Sequence, residues 1–308
     1  MLPPRPVVVA VDFSPGSEAA LVRAAALAAQ SGAALHLLHA DAAPPSLGGA
    51  AHAGRGGPLW DRLGRFAAAA LDRPAPGATF AVLRGPSVSA AILDYAGRVE
   101  AGLLVVGARG GSGADRLLVG GVAAACVAGA ACPVLVVPQA AHVGEPSPVV
   151  PVLVAVDFTE RSREAVRQGQ KLAHLYDAAL ELVHVVRDAG PYTGLAPSAL
   201  SLRGLDDDRD RAVRRRLAQF VGAVAPAALH VALGAPSRQI AAVAAARGAG
   251  VVVVGTHGRG GAAPAPVGST ARATLQRAGC AVLTVGGAVG TRAAPVATPP
   301  ALCSTAAA

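Results

Sequence analysis

Residues Val251–Val285 read VVVVGTHGRGGAAPAPVGSTARATLQRAGCAVLTV, and this stretch decides the fold. Val251 to Val254 are an unbroken apolar run of strand length, the pattern of a strand buried on both faces of a parallel sheet. Gly255 and Gly258 open a glycine-rich loop. After a nine-residue spacer, Gly268-Ser269 starts a short helix that Gly279 ends, and Val282–Val285 is a second buried strand. A strand, a glycine loop and a helix N-terminus together suit an anion. Bare backbone N–H groups point out of such a loop, and the helix dipole adds partial positive charge. The expected ligand group is the phosphates of a nucleotide.

Working outward, the same pattern occurs twice. VVVAVDFSPGSEAA near the start returns as VLVAVDFTERSREA, LLVVGARGG returns as VVVVGTHGRGG, and CPVLVVP returns as CAVLTVG. Asp12 and Asp157, Gly85 and Gly234, Gly107 and Gly255, and Cys132 and Cys280 correspond at an offset of 145 to 149 positions. A period this long is a duplicated domain, with a first domain over 1–140, a linker rich in Gly and Pro, and a second domain over 150–288. Residues 289–308 read as a disordered tail.

Within each copy, strands alternate with helices. Val7–Val11 and Val152–Val156 are first strands; Ser14 and Thr159 cap the helices that follow, with Pro15 at the first helical position. Ala34–Ala40 and Leu180–Val186 are second strands. Ala43–Pro58 reads as a mobile loop before a helix over Leu59–Leu71, with Trp60, Leu63, Phe66 and Ala67 at core spacing. In the second copy a loop around Gly190–Gly204 precedes a helix from about Asp208 to Val224. Such alternation implies an α/β domain with a parallel sheet built by right-handed crossovers. Ligands bind such sheets at the carboxyl ends of the strands, where the strand order reverses. Asp157 directly follows strand one and Gly255 ends strand four; if those strands are neighbours, carboxylate and glycine loop share one crevice.

Composition narrows the function classes. The chain has 308 residues, 53% of them hydrophobic, and a net charge of +8. Lys171 is the single lysine, so the charge is carried by arginine, as a GC-rich genome favours, and nucleic acid is not an expected partner. The run from Arg209 to Arg216 follows Asp206-Asp207-Asp208 and reads as a solvated helix face. Aromatic residues are only 3%, which leaves little to stack on single strands. Cys126, Cys132, Cys280 and Cys303 form no CxxC pair; Cys132 and Cys280 precede apolar strands and read as small core residues in a reducing setting. The N-terminus has too few apolar residues for a signal peptide. Leu117 to Gly144 carries no charge, but Gly120, Gly121, Gly129 and Pro133 interrupt it, so it reads as a helix plus a central strand and not as a membrane span.

The spacing G-x2-G-x9-G-[ST] late in each copy, with V-x-V-D-x-[ST] at its start, resembles the universal stress protein family, as two tandem copies over most of the chain. The resemblance implies two tandem Rossmann-like (HUP-type) α/β domains, each a five-stranded parallel sheet of order 3-2-1-4-5 with helices on both faces. It implies an internal pseudo-dimer joined through the fifth strands, Val134–Val137 and Val282–Val285. The nucleotide-binding branch of the family uses this loop for ATP, alone or with Mg2+. Carried over, Gly255, Gly258, Gly268 and Ser269 stand at the phosphate and ribose positions, with Thr270 adding a backbone N–H. Asp157 stands near the nucleoside, and Val185 where family backbone contacts adenine. In the first copy Asp12, Ala40, Gly107, Gly110 and Gly120 are in register, but Gly121 replaces the Ser/Thr, so weaker ATP binding is expected there. Pro264 and Pro266 stiffen the second spacer.

Plainer roles compete at several positions. Asp12 and Asp157 suit helix capping as well as nucleoside contact, and Ser14 is explained by a cap. His257 lies in the loop, where it is either a phosphate contact or a solvated residue. His39 and His184 occupy matching places in strand two and should be buried and hydrogen-bonded. No Ser-His-Asp order, paired-carboxylate site or Walker motif stands out, so an enzyme is not expected beyond slow ATP hydrolysis. The implied function is a cytoplasmic, stress-response regulatory or protective module that binds ATP and an unknown protein partner. The alternative is a non-nucleotide protein-interaction module of the same fold.

Overall fold

Runs of valine and leucine become strands, and the alanine-rich segments between them become helices. The structure is a computed structural model that describes residues 4–42, 57–71, 77–109, 119–139, 150–186, 199–256 and 267–286. In chain order the first copy contributes β1 (Val7–Ala10), α1 (Pro15–Ser31), β2 (Leu35–Ala42), α2 (Pro58–Ala70), β3 (Thr79–Gly85), α3 (Val88–Arg98), β4 (Leu103–Gly107), α4 (Gly121–Gly129) and β5 (Val134–Val137). The second contributes β6 (Val152–Ala155), α5 (Glu160–Leu175), β7 (Leu180–Val186), α6 (Ala199–Val221), β8 (Ala228–Leu233), α7 (Pro236–Arg247), β9 (Val251–Gly255), α8 (Ser269–Arg277) and β10 (Ala281–Val285).

The described residues divide into two compact units, one formed by those up to 139 together with 280–286, the other by 150–279. In the first unit the strands lie in the order β3-β2-β1-β4-β5, all parallel. Crossovers from β1 run one way along the sheet and the crossover from β3 to β4 runs back. Right-handedness therefore puts α1 and α2 on one face and α3 and α4 on the other, and within each pair the helices touch. Val8, Val9, Leu37, Leu104 and Val105 are almost fully buried between the two helix layers. Burial of such a side chain stabilises by roughly 1.5–3 kcal/mol. β10 belongs to this unit and lies antiparallel on β5, with Leu283 opposite Leu135 and the Thr284 hydroxyl donating to the Val134 carbonyl at 3.1 Å.

The second unit repeats the arrangement as β8-β7-β6-β9, again parallel. Its α5 packs on β6 and β9, and α7 packs on β7, β8 and α8. The chain is thus a tandem, Rossmann-like α/β protein.

Helix starts follow the sequence. The Ser14 hydroxyl accepts from the Ser17 N–H at 3.2 Å, with Pro15 in the first turn. Thr159 and Ser162 cap each other's backbone N–H groups at 3.1–3.2 Å, a reciprocal capping box. Three expectations need correction. α6 begins at Ala199, nine residues before Asp208, because a leucine-containing segment continues through Gly204, which helices tolerate at modest cost. Trp60 and Phe66 are half-buried, so the core face of α2 is Leu63 and Ala67. Cys132 and Cys280 are half-buried as well, and Cys126 is the core cysteine. The described part of the uncharged segment is α4 and β5, and no described helix is long and apolar enough to cross a membrane. The loop expected over 43–56, the linker over 140–149 and the tail from 287 lie outside the described residues.

Candidate functional site

In both units strand one lies between strand two and strand four, which is where the strand order reverses. Ala10 is level with Val106, and Val154 with Val253. Strand one and strand four therefore end side by side, and Asp12 and Asp157 leave the sheet next to Gly107 and Gly255 at its carboxyl end. Each carboxylate also organises the turn behind it. Asp12 Oδ1 accepts from the Ser14 N–H at 3.1 Å and the Ser14 hydroxyl at 2.5 Å. Asp157 Oδ1 accepts from the Thr159 N–H at 3.1 Å and the Thr159 hydroxyl at 2.6 Å. The aspartates thus set the capping residues of α1 and α5.

The first loop glycine has a packing reason. A Cβ on Gly107 would lie 2.8–2.9 Å from backbone atoms of Gly16, and one on Gly16 would lie 2.7 Å from the Arg109 carbonyl oxygen. The loop start and the first turn of α1 meet backbone to backbone. In the second copy Arg161 replaces Gly16, and a Cβ on Gly255 would come within 3.2 Å of its Cβ. The far side of each loop is pinned to its near side. The Gly120 N–H donates to the Ala108 carbonyl at 2.8 Å, and the Gly268 N–H to the Thr256 carbonyl at 2.6 Å. Those two amides are engaged across the mouth of the loop, so Gly120 and Gly268 fix its shape. The next amides begin α4 and α8, and neither helix has a side-chain cap. A helix N-terminus of this kind leaves donors for an outside partner. Ser269 is exposed at the start of α8, followed by Thr270. Gly121 is exposed at the start of α4, and a Cβ there would meet nothing within 4 Å. Gly110, Gly258, His257, Pro264 and Pro266 lie outside the described residues.

At the end of strand two, Ala40 is level with Leu83 and Val185 with Ala232. The preceding histidines are buried. His39 Nδ1 donates to the Val11 carbonyl at 2.7 Å, and His184 Nδ1 to the Val156 carbonyl at 2.7 Å, which ties strand two to the end of strand one. Each histidine lies against the phenylalanine that follows the aspartate, with ring centroids of Phe13–His39 and Phe158–His184 both 4.6 Å apart. Both phenylalanines have φ of 64°, a left-handed backbone that bulky residues rarely adopt. Sequence reasoning passed over them. The signal available was the repeated Asp-Phe-[Ser/Thr] triplet, but a side chain's partner across the fold is not written in its own neighbourhood.

Other candidate chemistry is quiet. Burial pushes the Cys126 thiol up to about 12 and the Cys132 thiol to about 11, so neither supplies a thiolate at neutral pH. Among the described residues no three His, Cys, Asp or Glu side chains group as metal ligands.

Comparison with known proteins agrees with this geometry. A sequence model of the universal stress protein family matches residues 4–138 and again 150–286. Universal stress protein Rv1996 of Mycobacterium tuberculosis and universal stress protein Mb2019 of Mycobacterium bovis are each 29% identical over 180 residues. That match spans 57% of this chain and 56% of the relatives' length. Among solved structures, protein PA1789 of Pseudomonas aeruginosa has a TM-score of 0.64 at 18% identity, covering 92% of both chains. A universal stress protein of Archaeoglobus fulgidus has a TM-score of 0.60 at 17% identity, covering 91% of this chain and 98% of its own. At these identities the two structures speak to the fold. With both copies matched by the family's sequence model, this chain belongs to the universal stress protein family, in tandem form.

Proposed function

We propose that the chain binds ATP, alone or with Mg2+, at the second-copy site formed by Asp157, Val185, Gly255, Gly258, Gly268, Ser269 and Thr270. The first-copy site, Asp12, Ala40, Gly107, Gly110, Gly120 and Gly121, binds it more weakly. The observation that carries this reading is the parallel pairing of β6 with β9, which puts Asp157 beside the start of a glycine loop that leads to a helix without a side-chain cap. The residues fit a phosphate group. The first-turn amides of α8 and the exposed Ser269 hydroxyl are donors, and the dipole has the right sign. A metal ion would arrive with the phosphates.

The role is that of a nucleotide-responsive regulatory or protective module acting on a protein partner, with no more than slow hydrolysis. Its setting is the cytoplasm. The antiparallel pairing of β10 with β5 supports an internal pseudo-dimer of the two copies. Calorimetric titration with MgATP tests the nucleotide claim. Wild type should bind below millimolar ATP, and Ser269→Ala should weaken binding about tenfold, the worth of a hydrogen bond to a charged phosphate. Absence of heat at millimolar ATP, with no nucleotide co-purifying, sinks the claim and favours the protein-interaction alternative.

A further inference from the structure

We infer that the stack of Arg216, Phe158, His184 and Phe220 is a positioning device, which holds the Asp157–Thr159 turn in place by tying it to the last turns of α6. The inference rests on the nucleotide reading only for what that turn is held ready to do.

Phe158 sits between Asp157 and Thr159, the two residues whose carboxylate, hydroxyl and N–H groups lock the turn. Its ring meets side chains from β7 and α6. His184 of β7 lies at 4.6 Å, Phe220 of α6 stands edge-on at 5.5 Å, and the guanidinium of Arg216 covers the ring at 4.3 Å. Arg216 and Phe220 are four residues apart, on one face of α6. A second arginine closes the circuit. Arg163, in the first turn of α5, covers the Phe220 ring at 4.3 Å and donates from Nη1 to the Phe220 carbonyl at 2.8 Å. From α6 the contacts run to Phe158, through the turn into α5, and from α5 back to α6.

The first copy keeps the same stack. Phe13 meets His39 at 4.6 Å, Phe66 edge-on at 5.6 Å, and the guanidinium of Arg62 at 4.1 Å. Arg62 and Phe66 again lie four apart on α2. Both phenylalanines share the same left-handed φ. Nearer the loop the copies differ, with Gly121 for Ser269 and Gly16 for Arg161, and Glu18 stands for Arg163, so the contact that closes the circuit belongs to the second copy. The stack is retained where other contacts have drifted. Its geometry constrains the backbone on both sides of Phe158, so the contacts made by α6 bear directly on the direction of the Asp157 carboxylate.

The test compares the wild-type chain with Arg216→Gln, which stays polar but is shorter and loses the charge, and Arg216→Lys, which keeps a cation able to reach the ring. Arg62→Gln serves as the first-copy control. Amide hydrogen exchange over residues 157–163, the urea midpoint and MgATP affinity are measured on each. Arg216→Gln should raise exchange over 157–163 about two- to fivefold and weaken ATP by a similar factor, as loss of one cation–π contact allows. The urea midpoint should hold, Arg216→Lys should restore both readouts, and Arg62→Gln should leave 157–163 unchanged. Unchanged exchange over 157–163 in Arg216→Gln overturns the inference. So does a rise spread across the chain with a falling midpoint, which marks plain structural loss. If exchange responds as stated but wild type binds no ATP, the nucleotide reading falls while the coupling of α6 to the turn is upheld.

Discussion

Gly121 and Ser269 hold the same place in the two copies, and only one carries a hydroxyl. Because a Cβ on Gly121 would meet nothing within 4 Å, serine fits there without displacing a neighbour. Gly121→Ser should therefore strengthen ATP binding at the first copy at least about tenfold, the worth of a hydrogen bond to a charged group. Calorimetry in a Ser269→Ala background reads it; unchanged affinity would mean that the hydroxyl is not what separates the copies. Gly107 allows no such experiment, since a side chain there runs into the backbone of α1. Phe158 offers a second test of local geometry. Its φ of 64° suits glycine, whereas any L side chain is strained there. Both Phe158→Ala and Phe158→Gly lose the ring contacts, but glycine should be the less damaging by about 1 kcal/mol. That reverses the usual order of the two residues, and urea unfolding would show it. Equal stability would mean that the backbone relaxes out of the left-handed region once the ring is gone.

At the scale of elements, the second strands of the two copies carry different polar residues at one position. In β7 Glu181 is buried, receiving Arg247 through Nη2 at 2.7 Å and His230 through Nε2 at 2.8 Å. Hydrogen bonds from Arg247 lead the causes that hold its carboxyl below the usual range, with desolvation opposing them. In β2 the place belongs to His36, buried, with Nδ1 2.9 Å from the Tyr95 hydroxyl. Burial lowers the pKa of that imidazole from its ordinary 6.5. Both folded-state values lie below the unfolded ones, so both groups stabilise the fold at high pH. The His36 contribution is lost as pH falls from about 6.5 through its folded value, and that of Glu181 as pH falls below about 4.5. Trp60, the single tryptophan, reports the first unit. Its urea midpoint should drop between pH 7.5 and 5.5 in wild type and drop less in His36→Gln. Glu181→Gln should cost about 1.5–3 kcal/mol at pH 7 and flatten the loss below pH 4.5. A parallel acid limb in either variant would reject the assignment. These pairs also mark what could be read in advance. The valine runs, the caps at Ser14 and Thr159 and the element order were legible because each is local. The partners of Glu181, His36 and Phe158 come from strands and helices tens of residues away. A lone polar letter in an apolar run does not say which of them it meets. The early start of α6 was missed for a related reason, since Gly204 weighs against a helix locally at a cost that the rest of a long helix outweighs.

Across the whole chain, β10 is last in sequence yet belongs with the first unit. It lies antiparallel on β5, and Val282, Leu283 and Val285 are buried. The strand is added to a sheet whose own five strands are already in order, so it covers an edge that would otherwise expose unpaired backbone groups. Removing it should therefore be felt far from the cut. Truncation after Gly279 takes three large apolar side chains from the first unit, roughly 5 kcal/mol at the usual value per buried side chain. The unfolding transition seen by Trp60, which sits in α2, should move to markedly lower urea. Thr284→Val is the graded version. It keeps the strand and its apolar neighbours and deletes the buried hydroxyl's bond to the Val134 carbonyl, so about 1 kcal/mol should be lost from the same transition. If Trp60 reports no change in either protein, β10 contributes nothing to the first unit's stability. The antiparallel pair would then be a seam of contact and not a structural member of that sheet.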